Sequence, residues 1–375
     1  MVTHLMRPIA LRSIVRSIAV AATLLCTNLQ TALAETTAGL IKQLQSVAQG
    51  DAGSATAAKA IKQLREAKDL TLVESLKAMK GATPIGRNWL MGLANSIHKK
   101  SSESEKAALS KFLADPSQDG EARYMVFQWL TANNNTRRLE LLANMQMDTS
   151  PELRYLAIDE AIKVKPETEE LSVLLESARH PDQVVSILGM LKEKGTIVDQ
   201  AKQLGFLMDW RLIGPFDNVG TVNFNKEFPI ENDWVKGTVQ QEYDGKTAPV
   251  KWISETTKSP DGLVDLAALF SNEKGCIIYA TTEFDSAKEQ DAELRLGCIN
   301  GNKIWVNGKL ALSNEVYHSS SQIDQYAEPV KLKAGVNRIL LKLCQNEQKE
   351  AWAQKFEFQL RISDSSGKAI LAKGR

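Results

Sequence analysis

The spacing of apolar residues changes character once along this chain, near Gly205-Phe206. Before that point apolar residues recur at i, i+3, i+4 and i+7, the repeat of one buried helix face. After it they alternate with polar residues, the repeat of half-buried strands. A segment patterned for one structure does not settle in the other, so the chain is predicted to hold two domains of different class. Composition divides at the same place, since six of the 23 aromatic residues precede residue 206 and seventeen follow it. Alanine and leucine favour helix in the first part, whereas aromatic and β-branched residues favour strand in the second. The expected organisation is a helical domain over residues 35–205 and a β-sandwich over residues 206–375.

The helical part carries an internal repeat. Ala122, Met125, Val126 and Trp129 mark one apolar face; Leu153, Leu156 and Ala157 repeat it 31 residues later, and Val184, Ile187, Leu188 and Leu191 after another 31. Between them lie Leu109-Phe112-Leu113, Leu139-Leu142-Ala143 and Leu171-Leu174-Leu175, so each unit reads as a helix pair. Turn and start signals at Asp115-Pro116-Ser117, Thr149-Ser150-Pro151 and His180-Pro181-Asp182 stand just before the first set of helices, where proline is tolerated and Ser or Asp caps. Thr83-Pro84, followed by Leu90, Leu93, Ala94 and Ile97, is an earlier copy. The segments DGEAR (residues 119–123) and SPELR (residues 150–154) resemble the start of a HEAT-like helix, in which an acidic-x-Arg step precedes the buried face. That resemblance spans residues 80–204 and implies an α-solenoid. One amphipathic pair cannot bury its face alone, so stacked pairs would share a core and leave an extended surface that docks a protein. The alternative is a spacer without a partner, in keeping with an even balance of 22 basic and 22 acidic residues over 35–205.

In the second part Leu294, Leu296 and Cys298 alternate with Glu293, Arg295 and Gly297. Phe356, Phe358, Leu360 and Ile362 alternate with Lys355, Glu357, Gln359 and Arg361, and Ile339, Leu341 and Leu343 alternate with Leu340 and Lys342; all three runs predict half-buried strands. Asn307-Gly308 stands between two such runs and predicts a two-residue hairpin turn needing positive φ at both centres. Lys333-Ala334-Gly335 predicts another turn. The segments WRLIGPFDN (residues 210–218), LRLGCINGNKIWVNGKL (residues 294–310) and VKLKAGVNRILLKL (residues 330–343) resemble, in order, the galactose-binding-domain-like jelly roll found in secreted bacterial glycan-processing proteins. The resemblance implies an antiparallel sandwich acting as an accessory module. Related modules often carry adjacent carboxylates in a Ser-Asp-Asp-Gly-like turn. Here Cys298-Ile299-Asn300-Gly301 stands in that place, without the oxygen ligands a hard cation such as calcium prefers.

Residues 1–34 are set apart from both domains. Arg7, Arg12 and Arg16, the apolar run Ile18–Cys26 and Ala32-Leu33-Ala34 before Glu35 have the order of a secretory signal peptide. A periplasmic or secreted location is therefore expected. The apolar run is too short for a membrane span, and no other stretch is long enough. Removal of residues 1–34 leaves 43 basic against 45 acidic groups, a balance that offers no field for nucleic acid. Cys276, Cys298 and Cys344 are too few for a disulfide scaffold and sit in apolar runs, where buried thiols are expected. His98, His180 and His318 are dispersed, with neither CxxC nor HExxH, so no metal and no cofactor are expected.

The chain also lacks GxSxG, GxxxxGK[ST] and GxGxxG, and the expectation is a protein that is not an enzyme. The carboxylates Asp209, Asp217 and Asp233 flank aromatics and form the one alternative, a glycosidase pair. A sugar site instead pairs an exposed aromatic with amide or carboxylate side chains. The candidate ligand-binding residues are Trp305, placed opposite Ile304 and Val306 by strand alternation, with Asn302 and Asn307 in neighbouring turns and Tyr317 and His318 in the following polar loop. The expected function is noncatalytic recognition of a carbohydrate or glycan-bearing partner by the sandwich, with a protein docked on the helices. The alternative is a structural or assembly protein making protein contacts only.

Overall fold

The computed structural model describes residues 36–374 apart from residues 49 and 101. The expected signal peptide lies outside the described residues. The chain forms two compact units, one closing at Arg138 and one spanning Leu139–Arg375.

The first unit is helical: α1 (Thr37–Gln45), α2 (Asp51–Glu66), α3 (Leu72–Lys77), α4 (Pro84–His98), α5 (Glu103–Ala114) and α6 (Gly120–Thr131), followed by α7 (Asn135–Leu142), which crosses into the second unit. Their starts are written in the sequence. Thr71 and Glu74 form a reciprocal capping box at α3 and Ser102 and Glu105 another at α5, each satisfying two N–H groups that a helix start leaves open. Thr83 caps α4 with Pro84 in its first turn. Gly86 is needed two residues on, because a Cβ there would lie 2.2 Å from the Leu44 carbonyl oxygen of α1. Buried Arg123 on α6 donates from Nε to the Leu113 carbonyl at the end of α5, at 2.9 Å.

The second unit starts with α8 (Pro151–Lys163), α9 (Thr168–Ser177), α10 (Pro181–Glu193) and α11 (Gln200–Leu204). Pro151 and Pro181 occupy first turns, with Ser150 and His180 as caps. Arg154 repeats the role of Arg123, donating to the Asp148 carbonyl at 2.8 Å. Gly205 ends α11 in the left-handed conformation, φ 81°.

From here the chain is mainly strand: β1 (Asp209–Asp217), β2 (Glu242–Asp244), β3 (Pro249–Lys251), β4 (Ile253–Thr256), β5 (Val264–Asp265), β6 (Cys276–Ser286), β7 (Gln290–Cys298), β8 (Gly301–Val306), β9 (Lys309–Asn314), β10 (Tyr326–Leu332), β11 (Gly335–Gln345) and β12 (Glu357–Ser363), with short helices α12 (Pro229–Lys236) and α13 (Leu266–Leu269). A six-stranded sheet of order β4-β1-β6-β11-β8-β9 faces a four-stranded sheet of order β10-β7-β12-β5. Neighbours are antiparallel throughout, for example Ile339↔Thr282 and Ile339↔Val306. The fold is thus a mixed α and β multidomain one.

Between the sheets, Leu212, Ile278, Ile304, Leu341 and Leu343 meet Leu294, Leu296, Phe358, Leu360 and Ile362 in one buried cluster. Burial of each such side chain is worth about 1.5–3 kcal/mol. A second cluster lies on the other face of the larger sheet, where Phe228, Ile230 and Trp234 cover Phe216, Tyr279 and Leu340.

Two expectations need correction. The runs 356–362 and 339–343 are not half-buried: β12 is buried along its whole length, Arg361 included, and β11 is buried from Ile339 to Gln345, Lys342 included. Arg361 is held by Asp324, at 2.6 Å from its Nε, and donates from Nη1 to the Leu204 and Gly367 carbonyls. Lys342 donates to the Lys226 carbonyl at 2.6 Å and to Glu231 at 3.0 Å. A buried charge persists only when paired and hydrogen-bonded in this way. The division of the folded bodies also differs from the division of composition. Helix gives way to strand at Gly205, but α8–α11 belong to the compact unit of the sheets. The reason is contact: Phe206 lies in the core of α9–α11 with Leu171, Leu174 and Leu188, and Arg154 Nη2 reaches the Ser366 carbonyl.

Candidate functional site

The strand β8 decides where the candidate residues go. Its alternation holds, with Ile304 and Val306 in the inter-sheet core and Trp305 on the opposite face. Trp305 is half-buried and packs against the cluster beneath α12. Asn307 ends the strand in the left-handed conformation, φ 51°, with Gly308 at 85°. Its side chain serves the turn region, donating to Asn337 Oδ1 at 2.9 Å and accepting from the Arg338 amide at 3.0 Å. At the start of the strand, Asn302 is fully buried; it donates to the Asn300 carbonyl and accepts from Asn314. Gly301 and Trp305 are separated by about 13 Å of strand. The five residues therefore do not form one edge: Asn302, Tyr317 and His318 gather at one end of the sandwich, Trp305 lies along the sheet face, and Asn307 stands at the far turn.

The first end holds the richer constellation. Tyr317 lies against Gly301, where a Cβ would sit 3.3 Å from its ring. Its hydroxyl accepts from Asn218 Nδ2 at 3.2 Å, and burial pushes its pKa up to about 12. His318 is held with φ 55°, its amide on Asn300 Oδ1 and its Nε2 2.8 Å from Asn346 Oδ1. Edge-on to its ring, at 5.1 Å, stands Trp352, which is 61% exposed. Asn346 also donates to Gln348 Oε1. Three buried side-chain atoms at this end have no protein partner: Asn218 Oδ1, Gln345 Oε1 and His318 Nδ1. Buried polar groups are normally satisfied, so these stand ready for water or a ligand.

Sequence reading missed Trp352, Asn346 and Asn218. Trp352 lies in the polar run QNEQKEAWAQK, and an aromatic among six charged or amide residues before it is the signal that marks it. The arrangement can present an apolar ring face beside amide and imidazole groups, the chemistry of a sugar platform.

The three carboxylates weighed as a glycosidase pair are each engaged in hydrogen bonds, Asp209 with the Thr256 hydroxyl. Asp209 and Asp217 end opposite ends of β1, about 26 Å apart by strand rise, against about 5–10 Å in such enzymes. Asp217 accepts from Val219 and Asn223, and Asp233 from Tyr243 and Gln240. Cys276, Cys298 and Cys344 are buried and free. Among the described residues no group of three or more His, Cys, Asp or Glu is placed to hold a metal ion, and no helix is long and apolar enough to cross a membrane.

No family model matches the chain, and no curated protein matches it. Solved structures match in part. An anti-sigma factor domain-containing protein from Clostridium clariflavum aligns at 12% identity and TM-score 0.26, covering 45% of this chain and 46% of that one. The apo β-glucuronidase of Ruminococcus gnavus aligns at 16% identity and TM-score 0.23, covering 42% and 28%. The β-glucosidase of Kluyveromyces marxianus in complex with glucose aligns at 11% identity and TM-score 0.19, covering 24% and 11%. The chain thus spans less than half the length of each, and a likeness this slight assigns it no family and no activity.

Proposed function

We propose that the protein is a noncatalytic exported binding protein whose sandwich recognises a carbohydrate or glycan-bearing partner while its helical repeats dock another protein. In this reading the sandwich is a galactose-binding-like jelly roll and the helices are HEAT-like. The observation that carries it is Trp352, a large exposed ring held beside His318, Asn346 and Gln348 at the loop end of the sandwich. Singly scattered surface rings are ordinary, and what sets Trp352 apart is its fixed place edge-on to His318, next to the Asn346 and Gln348 amides. Sugars offer apolar C–H faces for such a ring and hydroxyls for the adjoining amides.

The test is a glycan array probed with the full-length protein and with Trp352→Ala. Stacking on the ring predicts that the substitution weakens the captured glycan by roughly 1–3 kcal/mol. The melting temperature should hardly move. Equal binding by both proteins removes the loop end from consideration, and absence of binding across the array favours the structural or assembly reading. We further propose a periplasmic or secreted location, read from residues 1–34, which intact-mass analysis tests by looking for Glu35 at the amino terminus.

A further inference from the structure

A second concave surface lies on the outer face of the six-stranded sheet, well away in the fold from the loop end. It is a cavity of 660 Å³, within the usual range of about 300–1,000 Å³ for ligand sites. Its walls are Trp234 of α12 and Trp252 between β3 and β4. Both indoles are fixed, Trp234 by donating to Thr281 Oγ1 and Trp252 by donating to the Gln240 carbonyl, each at 3.0 Å. A guanidinium lies on each ring: Arg211 is 4.8 Å from the Trp252 centroid and Arg338 4.6 Å from that of Trp234. Neither forms an ion pair with a carboxylate among the described residues. Arg211 pairs in register with Thr281, and Arg338 with Glu283, two residues along the same central strand β6. The two arginines thus start about 12 Å apart, near enough for their long side chains to converge on one group.

Glu283 and Asp209 also line the cavity on the side of the sheet that carries Arg211 and Arg338, whereas Glu255, paired with Trp210, carries its side chain on the other side. Two carboxylates beside two guanidiniums leave no surplus positive charge for a polyanion, so nucleic acid and polyphosphate do not fit. They suit a ligand with a single negative group and many hydroxyl donors. The fork of a guanidinium matches a carboxylate, and ionised Glu side chains accept from hydroxyls. A flat apolar ring face would lie against Trp252, the part-exposed indole of the two, since Trp234 is buried.

We propose that this cavity binds a uronate-bearing sugar, its carboxylate between Arg211 and Arg338, its hydroxyls on Glu283 and its apolar ring face against Trp252. The site is separate from Trp352 and does not depend on the loop end binding anything.

Calorimetric titration of the full-length protein with galacturonate, glucuronate and mannuronate trimers tests this, with the galactose trimer as the neutral control and triglutamate as an acidic control without sugar hydroxyls. At least one uronate trimer should bind, more tightly than either control by about tenfold or more. Arg338→Gln and Arg211→Gln should each weaken it about tenfold, Arg338→Lys should fall between, and Glu283→Ala should weaken it by severalfold, all with unchanged melting temperature. Trp352→Ala should leave it unchanged. The proposal is overturned if no uronate trimer binds at millimolar concentration, if the galactose trimer or triglutamate binds as tightly, if the arginine variants bind like the parent, or if Glu283→Ala tightens binding.

Discussion

The two faces of the six-stranded sheet are built from the same strands and have opposite chemistry. Toward the smaller sheet, β6, β8 and β11 present Ile278, Ala280, Ile304, Ile339, Leu341 and Leu343, all buried. Away from it the same strands carry Thr281, Glu283, Lys303, Trp305, Arg338 and Lys342, partly roofed by α12. The inner face supplies the free energy of folding through non-directional burial. On the outer face every polar group needs a named partner or is left open to solvent, and it is there that the indole-walled cavity forms. The cavity proposed for a uronate therefore lies on the face that contributes less to folding.

The sharpest way to break this contrast is a pair of substitutions. Phe358→Ala on the inner side, where the ring meets Trp210 edge-on at 4.9 Å, should cost about 3–5 kcal/mol in chemical denaturation. Lys342→Met on the outer side should cost up to about 3 kcal/mol, because Glu231 loses its buried partner. Adding Glu231→Leu should recover part of that loss. No recovery would mean that the pair serves only to hold the 226–231 backbone, through the Lys226 carbonyl.

Trp305→Ala tests the half-buried zone between the two regimes. Its ring packs on the outer cluster from one side, so about 2 kcal/mol of stability should go, less than for a fully buried ring. Binding at Trp352 should persist in the variant. A melting temperature unchanged by the substitution would instead return Trp305 to the list of ligand platforms.

At neutral pH the smallest expected effect is electrostatic, because it develops only in alkali. Burial pushes the Cys276 and Cys298 thiols up to about 12, against 9.0 for a free thiol. The unfolded chain therefore loses these protons before the folded one. Their contribution is fully present below about pH 9 and is lost as pH rises toward about 12, at about 1.4 kcal/mol per pH unit for each thiol. Denaturation at stepped alkaline pH should show this slope, and Cys298→Ala should lower it. A slope unchanged in the variant would point to the buried tyrosines, Tyr279 above all, whose hydroxyl is likewise held protonated by burial and by Glu231.

The parts of this molecule that follow from short-range pattern could be read without coordinates. The faces around Val126, Leu153 and Ile187, the caps at Thr83 and Ser150 and the turn at Asn307-Gly308 all depend on neighbours within a few residues. What could not be read depends on residues far away in the chain. Arg361 looks like an outward-facing residue until Asp324 and Leu204 cover it, and Lys342 until Lys226 and Glu231 do. Asn302 reads as a ligand contact from its place beside a turn, but Asn300 and Asn314 consume its amide. Trp352 obeys no periodicity, because a turn of three residues has none to obey.

The Arg361 guanidinium has a consequence for how the second unit moves. By donating at once to Leu204, the last residue of α11, and to Gly367, beyond β12, it fastens the end of the helical run to the sheet edge, and Arg154 adds a strut to Ser366. Helices α8–α11 and both sheets should then share one rotational correlation time, with no hinge at the glycine between them. A protein seated on α8–α10 and a sugar seated on the sandwich would be held at a fixed bearing to one another, the behaviour of a bracket rather than of a tether.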